Sequence, residues 1–284
     1  MPAPFQERSD LIMSKRYRAD YHVHSKHSPD CKVPIDEVCQ AAILKGFQEI
    51  AITDHFEFYT PGHPVGFFTP KYIEKIFADI DEAQKKYEGS LIIRKGIEFG
   101  QPTVNPELAR SILEQFEFDY VIGSVHKVGN LSLSNVAYNA HNVEDICLNY
   151  FDMLYELADE GEYDCLGHID MIRLYAAKQG TPLNILEYEE QLIPILRRVI
   201  ERGKGIEINT TGFRQELSTT LPDISVLKLY RELGGQILTI GSDAHCIADV
   251  GSGWSESAIL AKLAGFDYVT LYQKRRPMLI AVES

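Results

Sequence analysis

Three histidines and two aspartates fall within eleven residues in the stretch Asp20-Tyr21-His22-Val23-His24-Ser25-Lys26-His27-Ser28-Pro29-Asp30. Imidazoles and carboxylates are the groups that ligate zinc, iron and manganese or relay protons. In a strand, residues i and i+2 face one side, so His22 and His24 can grip one ion while Val23 packs on the other face. His27 lies in the loop beyond and fits such a contact less well. The same residue types recur along the chain: Asp54-His55, Glu98, His126, His168-Ile169-Asp170, Glu207 with Asn209, and Ser242-Asp243-Ala244-His245. His63 and His141 stand outside the series and read as surface or rim residues.

Each member of the series ends a short apolar run. Strands are expected around 18–24, 48–53, 91–98, 119–125, 164–169, 205–209 and 236–241, with a weaker one near 267–270. Helical patterns separate them over 34–47, 70–89, 105–116, 142–161, 187–205 and 222–235, where apolar residues recur at helical spacing. Pro194 inside the fifth pattern predicts a kink, or a helix starting close to it. The stretch 54–69, "DHFEFYTPGHPVGFFT", lacks helical periodicity and reads as a long loop over one mouth. Strands alternating with helices throughout imply βαβ units and a parallel sheet. With no evident linker, the expected fold is α/β: a single distorted (β/α)7 TIM-like barrel over 18–284, preceded by a polar tail over 1–17.

In such a barrel the strand C-termini share one mouth, where active sites sit. The scattered histidines and acids would therefore meet in one pocket. A lone histidine at a strand end is more often a hydrogen-bonded structural residue than a ligand. Six of the nine histidines at the same end, beside Asp30, Glu98 and Asp243, are a different matter. Burying so many ionisable groups together is costly unless cations sit among them. A cluster of divalent metal ions follows.

The 284 residues are 45% hydrophobic and 24% charged, enough for one large core. No apolar run reaches membrane-spanning length, so no membrane partner is expected. The polar start does not resemble a secretory signal. A formal charge of -13 lacks the basic stripe that nucleic-acid binding needs. Five cysteines without C-x-x-C spacing read as reduced thiols in a cytoplasmic protein, with Cys31 and Cys246 notable for lying beside the motifs. Oligomeric state is not legible.

The ordered series "DYHVHSKHSPD", "AITDHFEF", "GIEFG", "VIGSVH", "GHIDMIR", "EINTTGFR" and "GSDAH" resembles the polymerase-and-histidinol-phosphatase (PHP) superfamily, and within it the monofunctional histidinol-phosphate phosphatases. The resemblance runs from about residue 18 to 250. It implies a distorted (β/α)7 barrel with a trinuclear site of zinc, iron or manganese. His22, His24, Glu98 and Asp243 would hold the first ion. Glu98 would bridge to the second, shared with His126 and His168, and Asp30, His55 and His245 would hold the third. Where some relatives carry histidine, this chain has Asp30, a harder ligand that suits the phosphatase branch. The implied reaction is hydrolysis of L-histidinol phosphate, a step of histidine biosynthesis, by a metal-bridging hydroxide. Asp243 or His245 would relay a proton to the leaving alkoxide.

Two arginines are candidates for a phosphate clamp, since guanidinium forks match phosphate oxygens: Arg173, in a catalytic and substrate-binding role, and Arg214. Lys127 ranks below them. Glu207 and Asn209 could support the pocket or meet a substrate amine. Phe56, Glu57, Phe58 and Tyr59 could form an acidic, aromatic rim for an imidazole and an ammonium group. Rival functions are a phosphoesterase of the same superfamily acting on nucleotides or sugar phosphates, an amidohydrolase, and a non-catalytic metal-stabilised module. The amidohydrolase reading is disfavoured because that class commonly carries a bridging lysine on the fourth strand, where this chain has His126.

Overall fold

The structure, a computed structural model, describes residues 6–7, 17–60, 66, 68–129 and 131–282. Seven parallel strands follow one another round the sheet in chain order: β1 (Ala19–Val23), β2 (Glu49–Ile52), β3 (Ile92–Gly100), β4 (Tyr120–Ser124), β5 (Cys165–Leu166), β6 (Gly205–Asn209) and β7 (Leu238–Gly241). Helices α1 (Ile35–Leu44), α2 (Pro70–Lys86), α3 (Pro106–Gln115), α4 (Val143–Glu160), α5 (Met171–Lys178), α6 (Glu189–Glu201), α7 (Thr211–Arg214), α8 (Ile224–Glu232) and α9 (Trp254–Leu263) lie between and after them. The expected alternation is therefore present. Helix α2 shows why: Tyr72, Ile73, Ile76, Ile80 and Ala83 recur at helical spacing and are buried.

Closure of the barrel rests on few bonds. His24 N donates to Ala244 O at 3.0 Å, and Asp243 N donates to His22 O at 2.7 Å. A bulge in β1 between Asp20 and Val23 re-aims the chain. It leaves Tyr21 and then His22 both inside the barrel, while Asp20 faces β7. There the buried Asp20 carboxylate accepts from Ser242 N (2.8 Å), Ser242 Oγ (2.5 Å) and Gly251 N (2.8 Å). This one side chain stitches the first strand to the loop after the last.

The opposite, N-terminal mouth is plugged by an antiparallel hairpin, β8 (Tyr268–Gln273) and β9 (Arg276–Ala281). Tyr272 stacks on Tyr120 inside the barrel, and its backbone N–H donates to the Tyr21 hydroxyl at 2.8 Å. Arg275 pairs with the buried Asp164 at 3.0 Å, just before β5. Only one strand is expected here from the sequence, because Arg275, Arg276 and Pro277 mask the second.

Other departures are local. Helices α5, α7 and α9 are not anticipated by the sequence reading. Helix α6 begins five residues before Pro194 and runs through it, held by buried Leu192, Ile195, Leu196 and Val199. The stretch 54–69 is not all loop. His55–Glu57 is a strand parallel to β3, with His55 beside Glu98 and Phe56 beside Phe99. His63 lies outside the described residues, as does most of the segment 1–17 expected as a tail; in that segment Gln6–Glu7 run parallel to β9. No helix among the described residues is long and apolar enough to cross a membrane.

Replacing Asp20 by alanine takes the acceptor from Ser242 N, Ser242 Oγ, Gly251 N and His22 N and should destabilise the protein by roughly 3 kcal/mol or more. Urea unfolding measures this; a loss under about 1 kcal/mol would show that β1 and β7 are joined by something else.

Candidate metal centre

All nine side chains singled out from the sequence come to the C-terminal mouth, some from the ends of strands and some from the loops that follow. Strand β1 and its loop supply His22, His24 and Asp30, and the strand His55–Glu57 supplies His55. Strand β3 supplies Glu98, and the loops after β4, β5 and β7 supply His126, His168, Asp243 and His245. Two of them sit in backbone conformations that side chains seldom adopt. Asp243 has φ 54°, and His168 has φ 20°. Such strain persists where the surroundings over-determine it, and here it turns both side chains back over the barrel.

Glu98 is the hub. Its Oε2 lies 3.4 Å from His22 Nε2, 3.7 Å from His24 Nε2 and 2.6 Å from His55 Nδ1. Its Oε1 lies 3.1 Å from His126 Nε2 and 3.0 Å from His168 Nε2. Asp243 Oδ1 is 3.3 Å from His24 Nε2 and 3.7 Å from His22 Nε2. Asp30 Oδ2 faces His245 Nε2 at 3.3 Å and His55 Nε2 at 3.5 Å.

The far nitrogens of four rings are committed elsewhere. His22 Nδ1 donates to Glu207 Oε1 at 2.7 Å, and His126 Nδ1 donates to Glu57 Oε1 at 2.6 Å. His24 Nδ1 donates to Ser28 Oγ at 2.9 Å, because Ser28 spends its own proton on Asp54. His245 Nδ1 donates to the Asp243 carbonyl at 3.1 Å. The Nε2 atoms are therefore lone pairs, and they point inward. His22 Nε2 and His24 Nε2 stand 3.1 Å apart with carboxylate oxygens around them. His55 Nδ1 and Glu98 Oε2 touch, yet out of line for a hydrogen bond, so both remain buried without such a partner, as does His245 Nε2. Acceptors facing acceptors repel in the absence of a positive charge. Divalent cations supply it, and neutral imidazole oriented through its other nitrogen is the usual ligand form. Four overlapping triads have ligand atoms within 4.8 Å of one another: His22/Glu98/His168, His22/His24/Asp243, His24/His55/His245 and His55/Glu57/His126. The donor set fits several metal ions.

Without cations, protons take their place. Burial would lower the His22 pKa, but Glu207, Asp243 and Glu98 outweigh it and push the imidazole well above its ordinary value. His126 rises to about 9 in the same way, against burial, through Glu98 and Glu57. Burial would raise Glu98 and Asp243, yet the surrounding imidazoles hold both carboxylates well below the usual range. His24 goes the other way, lowered well below its ordinary value by burial and by His245 and His55.

The PHP domain sequence profile matches residues 20–211, more than half of the chain. The chain belongs to the PHP family. The protein named probable histidinol-phosphatase in Clostridium acetobutylicum is 31% identical over 246 residues, spanning 86% of this chain and 92% of the relative. The histidinol-phosphatase of Lactococcus lactis subsp. lactis is 28% identical over 253 residues, spanning 88% and 92%. The crystal structure of histidinol phosphate phosphatase from that organism, complexed with zinc, L-histidinol and phosphate, superposes with a TM-score of 0.76 at 26% identity, over 91% of this chain and 98% of that one.

In this PHP domain a cavity of ≈ 290 Å³ opens over the cluster, lined by Asp30, His55, His126, His168, Asp243 and His245 on one side. Its other wall is Ser132, Leu133, Ser134, Met171 and Tyr175. These wall residues are missed by the sequence reading. Met171 and Tyr175 do carry a signal, an i, i+4 pair on the helix directly after "GHID". Tyr175 is pushed up to about 12 by burial and by Asp243, Asp30 and Glu98.

The two arginines do not line this cavity. Arg173 Nη1 pairs with Asp170 (2.7 Å) and Asp223 (3.2 Å), and its buried Nε has no hydrogen-bond partner. Arg214 donates to Thr210 Oγ1, Thr211 Oγ1 and Ser242 O and pairs with Asp249, which holds the loop that presents Asp243. Lys127 does line it, paired with Glu57 at 2.6 Å. The aromatic rim does not form as expected. Phe56, on the strand, and Phe58, just beyond its end, are buried in the core on the face opposite Glu57, which serves His126 and Lys127. His27 pairs with Asp79 at 3.0 Å, and His141 is exposed. Cys31 Sγ lies 3.3 Å from the His245 carbonyl, and Cys246 is exposed.

A pH test follows. His126, with its folded value raised to about 9, stabilises the metal-free fold fully below about 6.5 and ceases to as pH rises through about 9. Cations replace protons in that range. The melting temperature of chelated protein should therefore fall between pH 6.5 and 9 while the divalent-loaded protein holds. A gap between the two curves that stays constant over this range would rule out competition between protons and metal.

Proposed function

We propose that this chain is a metal-dependent phosphate monoester hydrolase that converts L-histidinol phosphate and water to L-histidinol and phosphate, in the cytoplasm, as a step of histidine biosynthesis. The observation that carries the reading is the buried cage of inward lone pairs around Glu98, on a barrel similar to one that holds zinc, L-histidinol and phosphate. His22, His24, Glu98 and Asp243 would hold the first ion, Glu98, His126 and His168 the second, and Asp30, His55 and His245 the third. Bound there, divalent cations would neutralise the phosphate dianion and acidify a water molecule.

The chain's own groups would do the rest. Asp243 keeps Oδ2 on Asn209 (3.1 Å) and Thr211 (3.3 Å), so Oδ1 stays aimed at the cluster. Of the two candidate relays, Asp243 and His245, His245 lies nearer the rim with its side chain 30% exposed, and it could hand a proton to the departing alkoxide only once released from the third ion. The wall of Ser132, Leu133, Met171 and Tyr175 would receive the amino-alcohol and imidazole portion and exclude water. Of the two arginines, Arg173 has an unpaired donor, Nε, but it is buried outside the cavity and would meet a phosphate oxygen only after the side chain moves. Arg214 would reach the phosphate only by giving up one of its present bonds. A cavity of this size suits a small monoester rather than a nucleic acid. The cytoplasmic assignment rests on five free thiols, four of them buried.

The test is turnover of histidinol phosphate against generic monoesters, with elemental analysis of the same sample. Histidinol phosphate should be preferred, and chelation should abolish turnover. Asp243→Asn should lower kcat/KM by about a thousandfold or more, and Arg173→Ala should chiefly raise KM. Metal-loaded protein inert toward every monoester would end the hydrolase reading. Equal turnover of all monoesters would end the substrate assignment alone.

A further inference from the structure

We propose that Glu207 is the positioning residue that locks His22 in its ligating tautomer and ties it to His168, so that the first two ion sites assemble as a unit. The inference rests on the metal reading above. Glu207 lies on β6, yet His22 lies on β1, and β7 runs between them. The carboxylate crosses β7 at Gly241. A Cβ there would sit 2.3 Å from Glu207 Oε1 and 2.3 Å from the His22 Cβ, so the absence of a side chain opens the passage.

Every donor around this fully buried carboxylate points at it. His22 Nδ1 reaches Oε1 at 2.7 Å, while His168 N (3.0 Å) and Asn209 Nδ2 (3.1 Å) both reach Oε2. Asn209 cannot turn over, because its Oδ1 already accepts from Thr211 N at 2.9 Å and its Nδ2 also serves Asp243. Three donors converge from three sources, and only an acceptor with two oxygens satisfies all of them. Glu207 thus fixes the His22 ring proton on Nδ1, the His168 backbone at its unusual φ, and the Asn209 amide that steadies Asp243. It does not line the cavity.

The isosteric amide makes the point testable. In Glu207→Gln one terminus accepts and the other donates. Turned one way, the NH2 faces His168 N and Asn209 Nδ2. Turned the other, it faces His22 Nδ1 and forces the ring proton onto Nε2, the nitrogen that must bind metal. The first orientation sets donors against donors, and the second costs His22 its ligating tautomer. In zinc-loaded wild-type protein, a proton–nitrogen NMR spectrum should show a slowly exchanging, hydrogen-bonded Nδ1 proton, assigned to His22 through its ring carbons. Glu207→Gln should lose or displace that resonance and weaken zinc binding, by chelator competition, about 10- to 100-fold, with an unchanged far-UV circular dichroism spectrum.

Gly241→Ala keeps the carboxylate but places a methyl in its path, and it should reproduce both effects if the Gln variant fails to fold. Retention of the His22 resonance together with zinc affinity within about threefold of wild type, in whichever variant folds, would overturn the assignment. Wild-type protein that takes up no zinc would instead remove the metal reading itself, so the two failures are distinguishable.

Discussion

A carboxylate with no access to solvent, Glu98, has five imidazoles around its two oxygens, and the rest of the site is arranged to keep it there. Without cations the arrangement is a charge problem. Burial disfavours the anion, and protonated histidines offset that cost, which is why His22, His55 and His126 rise while Glu98 falls. Cations solve the same problem with more charge in less space. The far-side acceptors decide which solution the pocket is built for. Glu57, Glu207, Ser28 and the Asp243 carbonyl hold four rings with one proton outward, which turns each Nε2 toward the shared centre, the orientation that ligation requires.

The candidate ligands were legible because a parallel barrel converts sequence position into spatial position. Any residue just after an apolar run of four or five lands at the same mouth, so His22, His55, His126 and Asp243 could be grouped without knowing a single contact. Their supporting shell was not legible to the same degree. Glu57 reads from sequence as part of an acidic, aromatic rim, since the Pro- and Gly-rich run after it hides the strand in "HFEF". Only its pairing with β3 reveals that Phe56 and Phe58 face the core. Arg173 and Arg214 illustrate a second limit. Sequence supplies the guanidinium, while Asp170, Asp223, Asp249 and the Ser242 carbonyl, brought in from elsewhere, determine how many donors are left.

The arginines' commitments bear on how an anion would be recognised. A pocket that binds phosphate through arginine alone needs guanidinium groups with free forks. Here Arg214's fork is spent inside the protein, Arg173 lies outside the cavity with Nη1 on Asp170 and Asp223, and Lys127, the basic residue that does line the cavity, is paired with Glu57. The cavity's own side chains are mostly acidic or neutral around Glu98, Asp243 and Asp30. An unassisted phosphate dianion would therefore be repelled, so affinity for one must come from what the cage holds. Selectivity and charge are separated: the cage supplies attraction, and the neutral wall from Ser132 to Tyr175 supplies shape.

Such a cage also needs a floor that does not move. Below His22 the barrel is filled by Tyr21, Tyr120, Ile122, Cys165 and Tyr272, closed underneath by the β8–β9 hairpin. The Tyr21 hydroxyl bonds the fully buried Glu49 at 2.5 Å, and Glu49 also takes Arg94 at 2.6 Å, so the polar groups of the floor are paired with one another. The bulge in β1 joins the two storeys, since it puts Tyr21 into the floor and His22 into the cage from adjacent positions. A regular strand would have sent one of them outward. The price of that irregularity is a short ladder between β1 and β7, and Asp20 offsets it by taking donors from Ser242 and Gly251 on the far side. The rigidity of the cage therefore begins with a register slip at the first strand, one residue before the first histidine.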